Sequence, residues 1–484
     1  MLLGACILVV LRDGPLRPGR AAPTLVTLVA LFSLTLIRAP HAVGYTAAEG
    51  FVVLVPFAVA IAWMLSQPRR GAERSIVLLI AGFIALVAIA LYRGKKAGVG
   101  TGGTQDIAVQ VGSLVAVSVF GLLLFMTART KAETWQRLIA VALAPSVYIA
   151  INIALHFAGF AAAVDPDSVS LAAGTPAKTL ALVGVHIDRV AFPMNPSING
   201  MGVIAAVGFA AAAMLVLRTT GLDRKLGVAG AATCMAALLL ADTRAAIVLA
   251  IMVVVLLTVV KRTKIAVLLA VAIPFSPWII KTAFTLLSNS GVAAPLSRTT
   301  NNIATGGARV YIWQAAEHQL EHSSSFHLLF GYGANGQVTS GASRLYAYLF
   351  AGTLNPLLVH VHNLALQTLL DLGLIGLLLL VATVVMTVGR LETINRISPK
   401  GPVTALLAGV IVLFLTGSTE PSPTYLTQET LFFTMLLASA SAGLAMQPVE
   451  EPSIRRHATS LDAWSSPTAS AESGMLSVPL GANQ

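Results

Sequence analysis

Charge is what this chain of 484 residues has least of: Asp, Glu, Lys and Arg together make up 11% of it, against roughly 25% in an ordinary soluble domain. A chain so poor in charge and 56% hydrophobic cannot cover a water-facing surface, which excludes a string of soluble domains. Cysteine is nearly absent. Cys6 and Cys234 both lie inside apolar runs, where a thiol behaves as a small hydrophobe, so neither a disulfide framework nor a cysteine metal site is expected. There is no internal repeat. No basic segment precedes the opening run MLLGACILVVL, and Arg12 follows it where small residues would mark a cleavage site, so a signal peptide fits poorly. Eleven helical residues rise roughly 16 Å, about half the hydrocarbon thickness, and residues 1–11 read as a partial or re-entrant helix.

Long apolar runs are what the chain has instead, at a mean hydropathy of +0.82. They fall at about 21–37, 47–65, 75–92, 107–127, 134–157, 198–217, 225–241, 245–260, 265–280, 363–388, 403–417 and 429–446, each approaching the roughly 20 residues that cross a bilayer. The expected fold is all-α: a polytopic membrane protein of about 12 transmembrane helices with a large periplasmic loop containing short helices.

Lys and Arg orient it, because short cytoplasmic loops carry an excess of them. The loops 12–20, 66–74, 128–137, 218–225, 261–264 and 389–400, with the tail, hold 20 of the 31 basic residues and nine of the 20 acids. That excess of eleven is the whole formal net charge, so the N- and C-termini are both expected in the cytoplasm. A pI near 9.9 therefore reports topology and contact with anionic membrane lipids, with no nucleic acid partner implied. The chain divides into residues 1–280, transmembrane helices with an outer loop near 158–197; 281–361, the large periplasmic loop; 362–446, the C-terminal transmembrane helices; and 447–484, a polar tail rich in Ser, Ala, Pro and Glu that is expected to be disordered.

In the large loop, GGARVYIWQAAEHQLEH reads as a surface helix with Val310, Trp313 and Leu320 on one side and Gln314, Glu317, His318 and Glu321 exposed. The following FGYGANG matches GxGxxG at Gly331, Gly333 and Gly336, but no strand-turn-helix unit surrounds it, and a nucleotide site is not expected. His318, Glu321 and His322 spell HxxEH, an inverted zinc-protease pattern. No third ligand follows on a later helix, so no metal is expected, and no other cofactor.

The ionisable residues that do stand out all face outward: Arg189, Arg244, Arg309, His360 and His362. A guanidinium stays charged and binds phosphate oxygens bidentately, and three around one pocket would hold a diphosphate. An imidazole can take a proton from a hydroxyl near neutral pH. Each also has a structural reading. Arg244 could snorkel at a span end with Thr243 as N-cap, Arg309 could stack on Trp313 four residues on, Arg189 could pair with Asp188, and Asn363 could cap the helix that starts there.

These residues lie in stretches that together resemble one family. DTRAAIVLA at 242–250, GARVYIW at 307–313 with LLFGYGANG at 328–336, HVHNLALQTLLDLGLIGLL at 360–378 and RVAFPMNPSINGMG at 189–202 resemble, in order and spacing, the O-antigen ligases and polysaccharide polymerases, bacterial inner-membrane glycosyltransferases. The resemblance covers roughly 180–390. It departs from the family at PMNPSIN and in the N-terminal spans.

The resemblance implies transfer of a glycan from an undecaprenyl-diphosphate carrier, on the periplasmic face, to an acceptor hydroxyl of a glycan, of lipid A core or of a protein, with inversion and without metal. It places the family's essential arginines on Arg244 and Arg309 and its essential histidine on His362, with Arg189, His360 and Asn363 as substrate-binding candidates. The rival is a flippase for the same lipid-linked sugars. Transporters commonly carry ionisable groups at mid-membrane, where these spans have little beyond Asp371.

Overall fold

Small residues choose the helix at the centre. The computed structural model describes residues 74–99, 131–160, 175–182, 184–193, 198–259, 264–290, 308–351, 355–397 and 401–420, with scattered positions within 61–66 and 111–127. Among them no strand forms, and the α-helices of six residues or more in chain order are α1 (Arg74–Lys96), α2 (Lys131–Phe157), α3 (Ile198–Arg218), α4 (Gly221–Ala241), α5 (Arg244–Val259), α6 (Ile265–Ser290), α7 (Arg309–Glu321), α8 (Ser325–Phe330), α9 (Leu364–Ile397) and α10 (Gly401–Thr416). In lipid, apolar association has no water to drive it, and helices meet where small side chains let backbones approach. The sequence INGMGVIAAVGFAAAAMLVLR makes α3 such a helix, and it packs against α2, α4, α5 and α10. Its partner α10 opens on Gly401 and Pro402 and is buried along nearly its whole length; proline fits there because a first-turn N–H is unsatisfied anyway.

Among the described residues five stretches are long and apolar enough to cross a membrane: Val77–Lys96, Ala132–Phe157, Asn199–Arg218, Gly221–Ala241 and Leu364–Arg396. They coincide with the runs expected at 75–92, 134–157, 198–217, 225–241 and 363–388. The runs at 245–260 and 403–417 form the shorter apolar helices α5 and α10. The run at 265–280 does not end where expected. Helix α6 continues to Ser290, because KTAFTLLSNS contains neither proline nor glycine. The runs at 21–37, 47–65, 107–127 and 429–446, the partial helix at 1–11 and the tail at 447–484 lie wholly or largely outside the described residues.

The segment from 308 to 358 builds a small core of its own. Ile312, Trp313, Ala315 and Ala316 of α7 pack with Tyr346 and with Val361, Leu366 and Leu370 at the start of α9. Helix α7 is thus the surface helix read from sequence, with Trp313 inward and Gln314, His318 and Glu321 exposed. It rests on protein.

The glycine-rich stretch has a structural job. Helix α9 is broken at Gly373, whose φ is 69° and ψ −166°, and a broken helix leaves carbonyls without partners. Tyr332 and Gly333 supply them, donating their N–H groups to the carbonyls of Leu370 at 2.7 Å and Asp371 at 3.1 Å. Arg93 of α1 holds the loop from the other side, donating to the carbonyls of Phe330 and Gly331, both at 2.8 Å. A Cβ on Gly373 would lie 2.4 Å from the Leu329 carbonyl, and one on Gly331 2.4 Å from that of Asp371. Gly373→Ala is therefore expected to destabilise the protein by about 1–3 kcal/mol or more, read as a lower unfolding midpoint in detergent, with Gly82→Ala in α1, where a Cβ would meet nothing within 4 Å, as the comparison inside regular helix.

Candidate active site

Two helix ends are stitched together before any charged group arrives. The first N–H of α9, that of Leu364, donates to the Gly417 carbonyl at 2.7 Å, just past α10. Asn363 completes the seam: its amide nitrogen donates to the Ser418 carbonyl at 2.9 Å and to Ser276 Oγ at 3.0 Å, while its oxygen accepts the Leu366 N–H at 3.1 Å as N-cap of α9. Asn363 is fully buried and its polar atoms are all engaged within the protein. The seam fixes the residues that flank it, His362 directly before Asn363 and Glu420 two residues after Ser418.

Glu420 is the centre of the cluster. It forms an ion pair with Arg309, the first residue of α7, and its other oxygen lies 3.0 Å from Nδ1 of His362. Asn199, in the first turn of α3, hydrogen-bonds it as well. Burial alone would push the Glu420 carboxyl up, but the Arg309 charge and the hydrogen bonds from His362 and Asn199 outweigh it and hold the group below the usual carboxylate range. Arg309 and His362 keep 23% and 25% of their side chains exposed, enough for a ligand to reach both. Arg309 does not stack on Trp313, whose indole N–H donates to the Val361 carbonyl at 3.0 Å.

Arg189, in the segment before α3, and Arg244, which opens α5, lie on either side of the end of α4. Residues 175–190 fold back through a bridge between Pro176 and Asp188 and are tied to the end of α4 by Val190 N–H to the Leu240 carbonyl at 2.9 Å. From there Arg189 donates through Nε to the Ala241 carbonyl at 2.8 Å and reaches Asn199 Oδ1 at 3.5 Å. Helix α4 ends on Asp242 in the left-handed conformation. Asp242 accepts from the Thr179 hydroxyl and backbone N–H, and its second oxygen lies 3.8 Å from Nε of Arg244, which opens α5. The Thr243 hydroxyl is buried without a partner among the described residues, so it does not cap α5.

Four helix N-termini therefore meet here. Asn199 of α3 touches Glu420, Glu420 touches the start of α7 and the residue before Asn363, and Gly202 of α3 abuts Thr243 at the start of α5. Each terminus carries a partial positive charge. Of the six buried side-chain atoms that lack a partner among the described residues, half belong to this region: Thr243 Oγ1, Arg309 Nε and His360 Nδ1. Buried polar atoms are normally hydrogen-bonded, so these three are available to a further group.

His360 points inward rather than toward Glu420. Its ring hydrogen-bonds Gln367, and burial, reinforced by the nearby His362, lowers its pKa from 6.5 to about 4. A histidine held neutral when folded but protonated when unfolded loses stability as pH falls from about 6.5 to about 4, at up to about 1.4 kcal/mol per pH unit. The unfolding midpoint is expected to drop between pH 7 and pH 5, and His360→Asn to flatten that dependence.

His318 and His322 stack with centroids 4.4 Å apart, and His322 Nδ1 sits 2.7 Å from the His318 carbonyl oxygen. No group of three or more metal-ligating side chains comes together among the described residues.

Residues 229–381 match the family model described as O-antigen ligase. Those residues are similar to an O-antigen ligase domain. The match, together with the apolar helices, supports a membrane enzyme that ligates or polymerises glycans. The domain contains Arg244, Arg309, His360, His362 and Asn363, and runs past the break at Gly373. Arg189, Asn199 and Glu420, which complete the cluster, lie outside it. No curated protein matches the chain.

Glu420 and Asn199 are the two members that the sequence alone does not single out. Glu420 lies in GSTEPS between two apolar runs, where it resembles any acid in a short turn. The usable signal is that no cation shares the turn with it.

Proposed function

We propose that this protein transfers a glycan from an undecaprenyl-diphosphate donor to an acceptor hydroxyl on the periplasmic face, inverting the anomeric carbon. The bridge from Arg309 through Glu420 to His362 carries the reading, because it couples an anion-binding group to a proton acceptor. Glu420 holds Nδ1 of His362 and leaves Nε2 free toward the acceptor, as a buried carboxylate orients an imidazole base elsewhere. His362 takes the acceptor's proton as its oxygen attacks the anomeric carbon. The bond from that carbon to the diphosphate breaks on the opposite side.

Negative charge then grows on the departing diphosphate. Arg309, whose Nε has no acceptor of its own among the described residues, meets it together with Arg244, Arg189 and the positive ends of α3, α5, α7 and α9. Fixed positive groups of this kind do the work a metal ion does in many phosphate enzymes. The acceptor, whether the sugar of a second lipid-linked chain, lipid A core or a protein hydroxyl, is chosen beyond this cluster.

The test is purified protein in detergent given a lipid-linked donor and a sugar acceptor, with chelator present. A new glycosidic bond at undiminished rate in chelator is the expected result. Transbilayer movement of the donor in liposomes, with no bond formed when acceptor is supplied, would overturn the proposal in favour of a flippase.

A further inference from the structure

The peptide that leads into His362 is gripped from both sides. The Val361 carbonyl accepts the indole N–H of Trp313 at 3.0 Å, and the Val361 N–H donates to the side-chain oxygen of Gln367 at 3.1 Å. Gln367 cannot turn, because its amide nitrogen donates to Gln337 Oε1 at 2.9 Å and to the Asp371 carboxylate at 3.0 Å. Asp371 is pinned in turn by the Gly336 N–H at 2.6 Å. Trp313, Val361, Gln367, Gln337 and Asp371 are all at most 1% exposed.

Immediately beyond this clamp the backbone is strained. His362 has φ +53°, a left-handed conformation that side chains other than glycine adopt at a cost and keep only where their surroundings over-determine it. Relaxed to an extended or right-handed backbone, His362 would carry its ring away from Glu420. The clamp also sets a distance. Trp313 lies one helical turn beyond Arg309 on α7, so one rigid helix supports both the arginine and the carbonyl next to the imidazole.

We infer that Trp313 and Gln367 are positioning residues for glycan transfer: gripping the Val361 peptide, they hold His362 in the left-handed conformation that faces Glu420 and keep it in register with Arg309. Neither side chain touches the reacting groups. The inference rests on His362 being the base, as proposed above.

Its test uses the full-length purified protein with donor and acceptor. Trp313→Phe keeps an aromatic ring and removes the donor, while Gln367→Met keeps length and removes the amide. Each is expected to lower kcat by roughly 10- to 100-fold, as small misplacements of reacting groups do, with KM for the lipid-linked donor unchanged. In a Glu420→Gln background the same substitutions are expected to add less than about twofold, because the contact they align is already lost.

A purely structural role predicts otherwise: the loss would multiply in full in the Glu420→Gln background. That result, or wild-type kcat in both single variants, would overturn the inference. If Trp313→Phe does not yield folded protein, Gln367→Met decides alone. Wild-type turnover in His362→Ala would count against the base assignment, and is scored separately.

Discussion

Replacing His362 with alanine is expected to leave a folded, inserted protein that binds donor normally and transfers glycan about 10²–10⁴ times more slowly, the range a positioned general base contributes. Folding should survive because the seam between α9 and α10 runs through Leu364 and Asn363. Glu420 also keeps its cation in Arg309, so no buried carboxylate is stranded. The measurement is kcat and KM on protein shown monodisperse by gel filtration. Normal turnover would place the proton on some other group and detach Glu420 from the chemistry.

The second large effect is at Arg309, and lysine is the informative substitution. Alanine would leave Glu420 buried without its cation, and breaking a buried pair in that way costs about 3–5 kcal/mol of stability. Lysine keeps the charge but gives up the planar fork that reaches Glu420 and a phosphate oxygen at once. Arg309→Lys is expected to cost about 2.7–4 kcal/mol of transition-state stabilisation, roughly 10²–10³ in kcat, in protein that still folds. Unchanged kinetics would show that Arg309 serves Glu420 alone and that the diphosphate is met elsewhere.

Much of this is legible in the sequence for plain reasons. Apolar runs of sufficient length announce themselves, so α1, α2, α3, α4 and α9 fall where hydropathy puts them, and the helix in GGARVYIWQAAEHQLEH shows its period. The arginines and His362 stand out because charge is scarce in this chain. Asn363 is readable as a cap from its position alone. Whatever depends on contact between distant segments is hidden. Glu420 acquires its meaning from a seam between two helix ends separated by more than fifty residues of sequence. The end of α6 falls later than expected because a helix that continues past its apolar run, without proline or glycine, has no break in composition that marks its end. FGYGANG has the spacing of a phosphate loop, yet its amides go to carbonyls released at Gly373, a break that one glycine among many does not advertise.

The enclosure of α10 bears on which membranes this protein can occupy. Its 16 residues rise roughly 24 Å, less than the roughly 30 Å of a typical hydrocarbon layer. A lipid-facing helix of that length would have to thin the bilayer around it or draw its flanking residues inward. Surrounded by α2, α3, α5, α6 and α9, α10 meets protein on every side, and any hydrophobic mismatch falls on those neighbours. The Glu420 carboxylate that follows it is thus set apart from changes in acyl-chain length, and a thicker or thinner membrane would tilt the neighbouring helices first.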